Sequence, residues 1–322
     1  MSEPIGVLVM AYGTASGPED IERYYTDIRG GRPPSPELLA ELRERYEAIG
    51  NRFPLLEITR AQAEGLAREL NAAEPGGYRT YLGMKHSPPW IADGVAAMRR
   101  DGIARAVGIV MAPHWSGMST ETYRERVEAA LGAEGGPTFT FVESFHDHPL
   151  FVELLARRVA KALATLGPAE REDAVVVFTA HSLPVRALAD GSLRCKTCEA
   201  CPDGCRYERE LRETAELVAR ELGLPRWRTA WQSVGRTQDP WWGPPIEEVI
   251  PALAEEGHRA VVVCSAGFVA DHLETLYDLD VACRAIAEEA GIHFARTEMP
   301  NDDPAFVRAL AAVVREHLGR AS

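Results

Sequence analysis

The sequence predicts an α/β fold built from two four-stranded parallel sheets with helices on both faces. Three observations carry this. Short apolar runs alternate with longer amphipathic stretches along all 322 residues. The apolar runs number eight and divide into two groups of four. At 46% hydrophobic, the chain has enough apolar material for a large core, and its length suits two domains.

The strands are expected at 5–11, 79–83, 106–111 and 139–143, then at 174–180, 228–232, 260–265 and 293–296. Amphipathic segments at 35–49, 59–72, 149–166, 206–222, 270–290 and 303–318 read as helices between them. The stretch Gly30–Gly31–Arg32–Pro33–Pro34–Ser35–Pro36 is a rigid loop between helices. These spacings predict an N-terminal domain over 1–147 and a C-terminal domain over 148–322, with the last helix free to pack on either. No Gly/Ser linker separates them, so they are expected to pack tightly.

Composition narrows the function. Net charge is −13, with 35 Lys and Arg against 48 Asp and Glu, which argues against a nucleic-acid binder. Small basic clusters, Arg43 with Arg45 and Arg157 with Arg158, lie among Glu and read as solvated helix faces. No run reaches the roughly 18–20 apolar residues of a membrane helix. The N-terminal MSEPIGVLVMAYGT lacks a basic leader and reads as a first strand. A cytoplasmic protein without stable membrane association is expected. Neither G-x-G-x-x-G nor G-x-x-x-x-G-K-[ST] occurs, so chemistry is sought at the carboxyl ends of the strands.

Four segments stand there. The first strand runs into Tyr12-Gly13-Thr14. The fifth runs into His181-Ser182-Leu183-Pro184, where Pro184 keeps Leu183 extended and leaves His181 at the mouth of a crevice. A histidine so placed suits a base or a metal ligand, or a hydrogen-bonded loop residue. After the seventh strand, Asp271, Glu274 and Asp278 are spaced by three and four, which on a helix makes one acidic row fit for a hard cation or for protons. Finally, Trp231-Gln232-Ser233-Val234-Gly235-Arg236-Thr237 leads into Asp239-Pro240-Trp241-Trp242. Three Trp among Gly and Pro read as an ordered loop that walls a flat ligand or anchors itself in the core.

The cysteines add a further signal. Cys195, Cys198, Cys201 and Cys205 form C-x2-C-x2-C-x3-C on a short loop, whereas Cys264 and Cys283 read as small core residues. Four clustered thiolates select an iron–sulfur cluster or zinc. The first spacings match the bacterial ferredoxin run, although Arg206 stands where its proline would follow. Structural zinc more often splits its ligands into two distant pairs, which favours iron–sulfur.

Taken together, H-S-L-P at His181, W-Q-S-x-G-R-T-x-D-P-W from Trp231 and G-F-V-A-D-H-L-E-T-L-Y from Gly267 resemble the ferrochelatase family, in its order and over almost the whole chain. The resemblance implies two Rossmann-like domains of the class II chelatase kind around a porphyrin cleft. It implies that His181 binds metal or takes pyrrole protons, that Glu274 faces it, and that Asp278 continues the acidic row. A third acid one turn on is common in the family, but Ala282 stands there. Tyr in the Y-G-T turn resembles members that use coproporphyrin III, and Tyr12, Arg29, Lys85, Trp231 and Ser233 are the implied porphyrin-site residues. The four cysteines resemble an internal insert that holds a [2Fe-2S] cluster in some microbial members, with [4Fe-4S] or structural zinc as alternatives. The expected function is therefore insertion of Fe2+ into coproporphyrin III to form coproheme in haem biosynthesis, with transient haem-pathway partners. A protoporphyrin IX ferrochelatase, another tetrapyrrole chelatase and a non-catalytic porphyrin or haem carrier are the alternatives.

Overall fold

The run IGVLVMA forms β1 (Ile5–Ala11), buried at every residue after Ile5. A strand with no polar side belongs in the middle of a covered sheet. β1 pairs in parallel with β2 (Tyr78–Met84) and β3 (Arg105–Val110), and β3 with β4 (Thr138–Val142). The second sheet starts with β5 (Val175–His181), VVVFTAH, buried up to its last residue. An antiparallel hairpin, β6 (Val185–Ala187) with β7 (Leu193–Cys195), follows at once. Then β8 (Trp227–Gln232), β9 (Ala260–Cys264) and β10 (His293–Arg296) complete the sheet, all parallel. The orders are β2-β1-β3-β4 and β10-β9-β5-β8. Counted along the chain within each sheet, both are 2-1-3-4, so the halves share a topology that no sequence repeat announces. In this topology the strand order reverses beside β1 and β3, and beside β5 and β9. Crevices for ligands open there.

The computed structural model describes residues 3–320 except Ala189, Asp190, Thr197, Glu199, Ala200, Pro202, Asp203 and Arg236, so Arg236 of the Trp231 motif lies outside the described residues. The helices are α1 (Ile21–Ile28), α2 (Pro36–Ala48), α3 (Leu55–Ala73), α4 (Ile91–Arg100), α5 (Thr120–Leu131), α6 (Pro149–Ala164), α7 (Pro168–Asp173), α8 (Arg206–Leu222) and α9 (Ile246–Glu255). A π-helix (Glu274–Cys283) runs into α10 (Arg284–Ala290), and α11 (Pro304–Arg320) ends the fold. One apolar core runs from Val7 and Val9 of β1 through α3, α6 and α11 to Val176 and Phe178 of β5. The last helix bridges the halves. Phe306 lies 6.2 Å from Phe151 of α6, and Arg315 donates to the Glu69 carbonyl of α3 at 2.6 Å.

The segment after β9 departs from the α-helix expected over 270–290. Residues before Leu273 are not helical, because their backbone is engaged elsewhere. Gly267 N–H donates to Thr179 O at 2.9 Å, and Asp271 N–H donates to Asn301 Oδ1 at 2.8 Å. Gly267 is needed for this, since a Cβ there would lie 2.5 Å from that of Ala180. The helix then starts in the wider π form, a feature frequent at functional sites.

Candidate active site

His181 is the last residue of β5, so its position follows from the strand register. Beneath it, the buried Gln232 Oε1 accepts from Thr179 Oγ1 at 2.7 Å and Ser265 Oγ at 2.9 Å, tying together the ends of β5, β8 and β9. The His181 ring donates through Nδ1 to the Ser182 carbonyl, and Tyr207 OH donates to the His181 carbonyl at 3.0 Å. Nε2 is thereby left facing Glu274 Oε1 at 3.6 Å, with about a third of each side chain (32% and 31%) open to the cleft. The other oxygen of Glu274 lies 3.5 Å from His272 Nε2.

The electrostatics of this pair are set by mutual attraction. Enclosure disfavours the imidazolium of His181, but the Glu274 carboxylate, the Ser182 carbonyl and Asp278 outweigh it, so the His181 pKa is raised above 6.5. Enclosure likewise disfavours the carboxylate of Glu274, yet His181 and then His272 hold its pKa well below the ordinary value. The site therefore favours the imidazolium of His181 more than water does.

Asp278 stands one step along the π-helix and is 6% exposed. It pairs with Arg45 and accepts from Ser233 Oγ at 2.5 Å. Burial first, and then the Glu274 charge, raise its pKa despite Arg45 and Ser233. Ser233 reaches it from a left-handed backbone (φ 59°), an uncommon state for a residue other than glycine. Asp271 is not part of this row. Lying before the helix, it joins Arg296 at 3.1 Å and Asn301 at 2.8 Å. Arg45, which the sequence suggested was a solvated cation, is instead the partner of Asp278, with its guanidinium 4.8 Å from the Tyr277 ring.

The N-terminal half supplies a wall of different character. β1 and β2 continue their pairing past the strand ends, Lys85 N–H to Ala11 O at 2.9 Å and His86 N–H to Tyr12 O at 2.8 Å, which sets Tyr12 beside Lys85 and His86. Gly13 turns the chain there with φ 103°, and a Cβ on it would meet Ser87 Oγ at 2.7 Å. Tyr12 remains 41% exposed, its ring 4.6 Å from that of His86. Lys85 Nζ donates to Thr122 Oγ1 at 2.6 Å and lies 5.9 Å from the Tyr12 ring. Burial and the neighbouring Arg126 lower the Lys85 pKa to about 8. His86 Nδ1–H donates to Asp27 Oδ1 at 2.6 Å, but burial holds its pKa down at about 4. The two walls meet where Ile21, Tyr24 and Tyr46 of α1 and α2 pack on Leu276 of the π-helix.

A profile of the family described as Ferrochelatase matches residues 4–318. The chain belongs to the ferrochelatase family. It is 46% identical over 98% of its length to a protein of Anoxybacillus flavithermus named coproporphyrin III ferrochelatase, 96% of which is covered. Proteins of the same name from Bacillus subtilis and Listeria monocytogenes are 44% and 39% identical over 98% of this chain and 98% and 99% of theirs. The solved structure of SirB from Bacillus subtilis with Fe3+ superposes with a TM-score of 0.57 at 11% identity, covering 99% of this chain and 97% of that one, and supports the chelatase fold.

Of the implied residues, Trp231 turns away from the cleft. Trp231 is 3% exposed, stacked on Trp242 at 5.7 Å and beside Tyr207 at 5.4 Å, so it anchors its loop. Arg29 ends α1 half-buried, its guanidinium 5.7 Å from the Tyr25 ring. Conversely, the structure sets His86 and Asp27 beside Tyr12, Arg126 beside Lys85, Arg45 on Asp278 and His272 on Glu274. Of these only His272 lies within one of the three family motifs.

Cys195 ends the β6–β7 hairpin and Cys205 stands at the start of α8, two residues before Tyr207, which donates to the His181 carbonyl. All four thiols are buried, as are Cys264 and Cys283 in the core. Cys195 and Cys205 have sulfurs 3.2 Å apart, and so do Cys198 and Cys201. Cys205 caps α8, where donation from Cys195 and the amides of Glu208 and Tyr207 pull its thiol down to about 6. Among the described residues, no group of three or more His, Cys, Asp or Glu gathers to hold one ion. Two buried thiol pairs, one with thiolate character, fit a cluster in which each of two irons takes two sulfurs.

Proposed function

We propose that the protein inserts Fe(II) into coproporphyrin III, forming coproheme and releasing the two pyrrole N–H protons. The observation that carries this is the pairing of His181 with Glu274 in a cleft whose other wall offers Tyr12 and the cation Lys85. The relatives named coproporphyrin III ferrochelatase, alike over nearly the whole chain, support the choice of ring.

Pyrrole lone pairs lie in the plane of a flat macrocycle, so the walls must grip the ring in a shape that exposes them. Tyr12 supplies an exposed aromatic face for this, and Lys85 a charge for a propionate. Glu274 favours the protonated form of His181. A divalent cation arriving beside Glu274 weakens that attraction, so a proton on His181 passes to solvent and Nε2 is free to accept one from a pyrrole. Asp278, whose raised pKa suits proton acceptance, passes protons outward, with Ser233 and Arg45 fixing its two oxygens. One turn on, where a third acid is common in the family, this chain has Ala282, so the relay ends on Asp278 in this helix.

The four cysteines, in this reading, hold a [2Fe-2S] cluster through the pairs Cys195 with Cys205 and Cys198 with Cys201. Such a cluster supplies a one-electron couple, but insertion of Fe(II) needs none, so its part is to fix the hairpin and the start of α8. Protein purified without oxygen should carry two irons and two sulfides; a single zinc in their place would contradict the assignment.

The test of the main reading is anaerobic Fe(II) insertion run in parallel with coproporphyrin III and protoporphyrin IX. Preferential turnover of coproporphyrin is expected. Equal turnover would remove the substrate preference, and none with either ring would remove the activity.

A further inference from the structure

Several cations around the cleft have an anion: Arg23 is taken by Asp20, Arg45 by Asp278, and Arg124 by Glu121 and Glu128. Lys85 and Arg126 do not: among the described residues, no carboxylate lies within ion-pair distance of either. Lys85 Nζ has one partner, the neutral Thr122 Oγ1 at 2.6 Å, and sits between the rings of Tyr12 at 5.9 Å and Tyr123 at 5.2 Å. Arg126 follows Thr122 by four residues on α5, which puts it on the same helix face. It donates through Nη1 to the Lys85 carbonyl, which uses one of its five N–H donors.

Two half-buried cations side by side repel each other and lose hydration, a costly arrangement unless an anion comes to them. The nearest acid, Glu125, is exposed and acts on Lys85 only at a distance. Tyr12 lies against the same spot, so the missing anion belongs to whatever lies on Tyr12.

We propose that Arg126 is a second carboxylate-binding residue of the porphyrin site, gripping one propionate together with Lys85 and so favouring a ring with a carboxylate on every pyrrole. This rests on the reading of the cleft as a porphyrin site given above. A ring with four propionates has one on every pyrrole, so whichever pyrrole lies at this spot carries one. A ring with two has both on one edge, and in other orientations sets a vinyl or methyl group against two desolvated cations. A site built for a polar group rejects the analogue that lacks it, because its own charges are left unpaired.

The test is fluorescence quenching of the iron-free rings by wild type, R126Q and R126K. R126Q removes the charge while keeping an N–H for the Lys85 carbonyl. It should bind coproporphyrin III about tenfold more weakly and protoporphyrin IX less than about twofold more weakly. R126K keeps the charge without the fork and should fall between. Coproporphyrin tetramethyl ester, which carries no carboxylates, should bind R126Q and wild type alike. Equal losses on all three rings, or no loss on coproporphyrin, would overturn the inference. If R126Q does not fold, the R126K affinity for coproporphyrin against its tetramethyl ester decides by the same comparison. Failure of wild type to bind coproporphyrin at all would instead count against the function proposed above.

Discussion

The two walls of the cleft stand at the carboxyl ends of strands in two sheets of the same topology, yet their chemistry is opposite. After β5 and β9 stand His181, His272, Glu274 and Asp278, a chain of proton-accepting groups that hold one another's charge. After β1 and β2 stand Tyr12, Lys85 and His86, an aromatic and cationic surface on which Asp27 of α1 is taken by His86. One topology thus offers two crevices, and the residues at the strand ends decide which handles metal and protons and which holds the ring.

If the labour is divided in this way, substitutions on the two walls should fail differently. The largest effect is expected for His181→Ala, which removes the proton acceptor: insertion should fall about a thousandfold or more, with porphyrin affinity within about threefold. Stopped-assay turnover beside fluorescence titration checks both. Glu274→Gln should cost about a hundredfold and also leave a signature in pH. With Glu274 present, His181 has a raised pKa, so kcat/KM should rise with pH through a midpoint above 6.5 as the imidazolium deprotonates. Without that charge, only the Ser182 carbonyl and Asp278 oppose enclosure, and the midpoint should move to lower pH. A midpoint that does not move would break the coupling of the pair.

The smallest effect belongs to the other wall. Lys85 has its pKa lowered to about 8 by burial and by Arg126, with the Tyr12 and Tyr123 rings, Thr122 and the more distant Glu125 around it. It is charged below that value and neutral above, so coproporphyrin affinity should weaken as pH rises through about 8, by about tenfold. In Lys85→Met the dependence in that window should vanish. Bound propionate raises the Lys85 pKa, so the loss in a saturated complex should appear at higher pH than in the free protein.

The sheets were legible because strands buried on both faces are near-continuous apolar runs, as in IGVLVMA and VVVFTAH, and no polar period confuses them. His181 could be placed from sequence for the same reason: it ends a run, and Pro184 stops the chain soon after. The segment 270–290 reads in sequence as one α-helix because acids at spacings of three and four suit that period, whereas only its last residues, Arg284–Ala290, are α-helical. What separates Asp271 from the row is a distant partner, Asn301, and a π register that leaves no mark in composition. Arg45 and Asp278 are 233 residues apart, and His86 and Asp27 are 59 apart, so neither pair has a local signal. The cysteine spacing was plain, but not the hairpin that pairs Val185 with Cys195 and presents the loop.

The division of the cleft is tested most directly by measuring coproporphyrin affinity and Fe(II) insertion on the same samples of His181→Ala and Lys85→Met. The account predicts that the first variant binds the ring and does not insert iron, whereas the second binds weakly and still inserts iron when the ring is supplied in excess. Loss of both properties in both variants would contradict it.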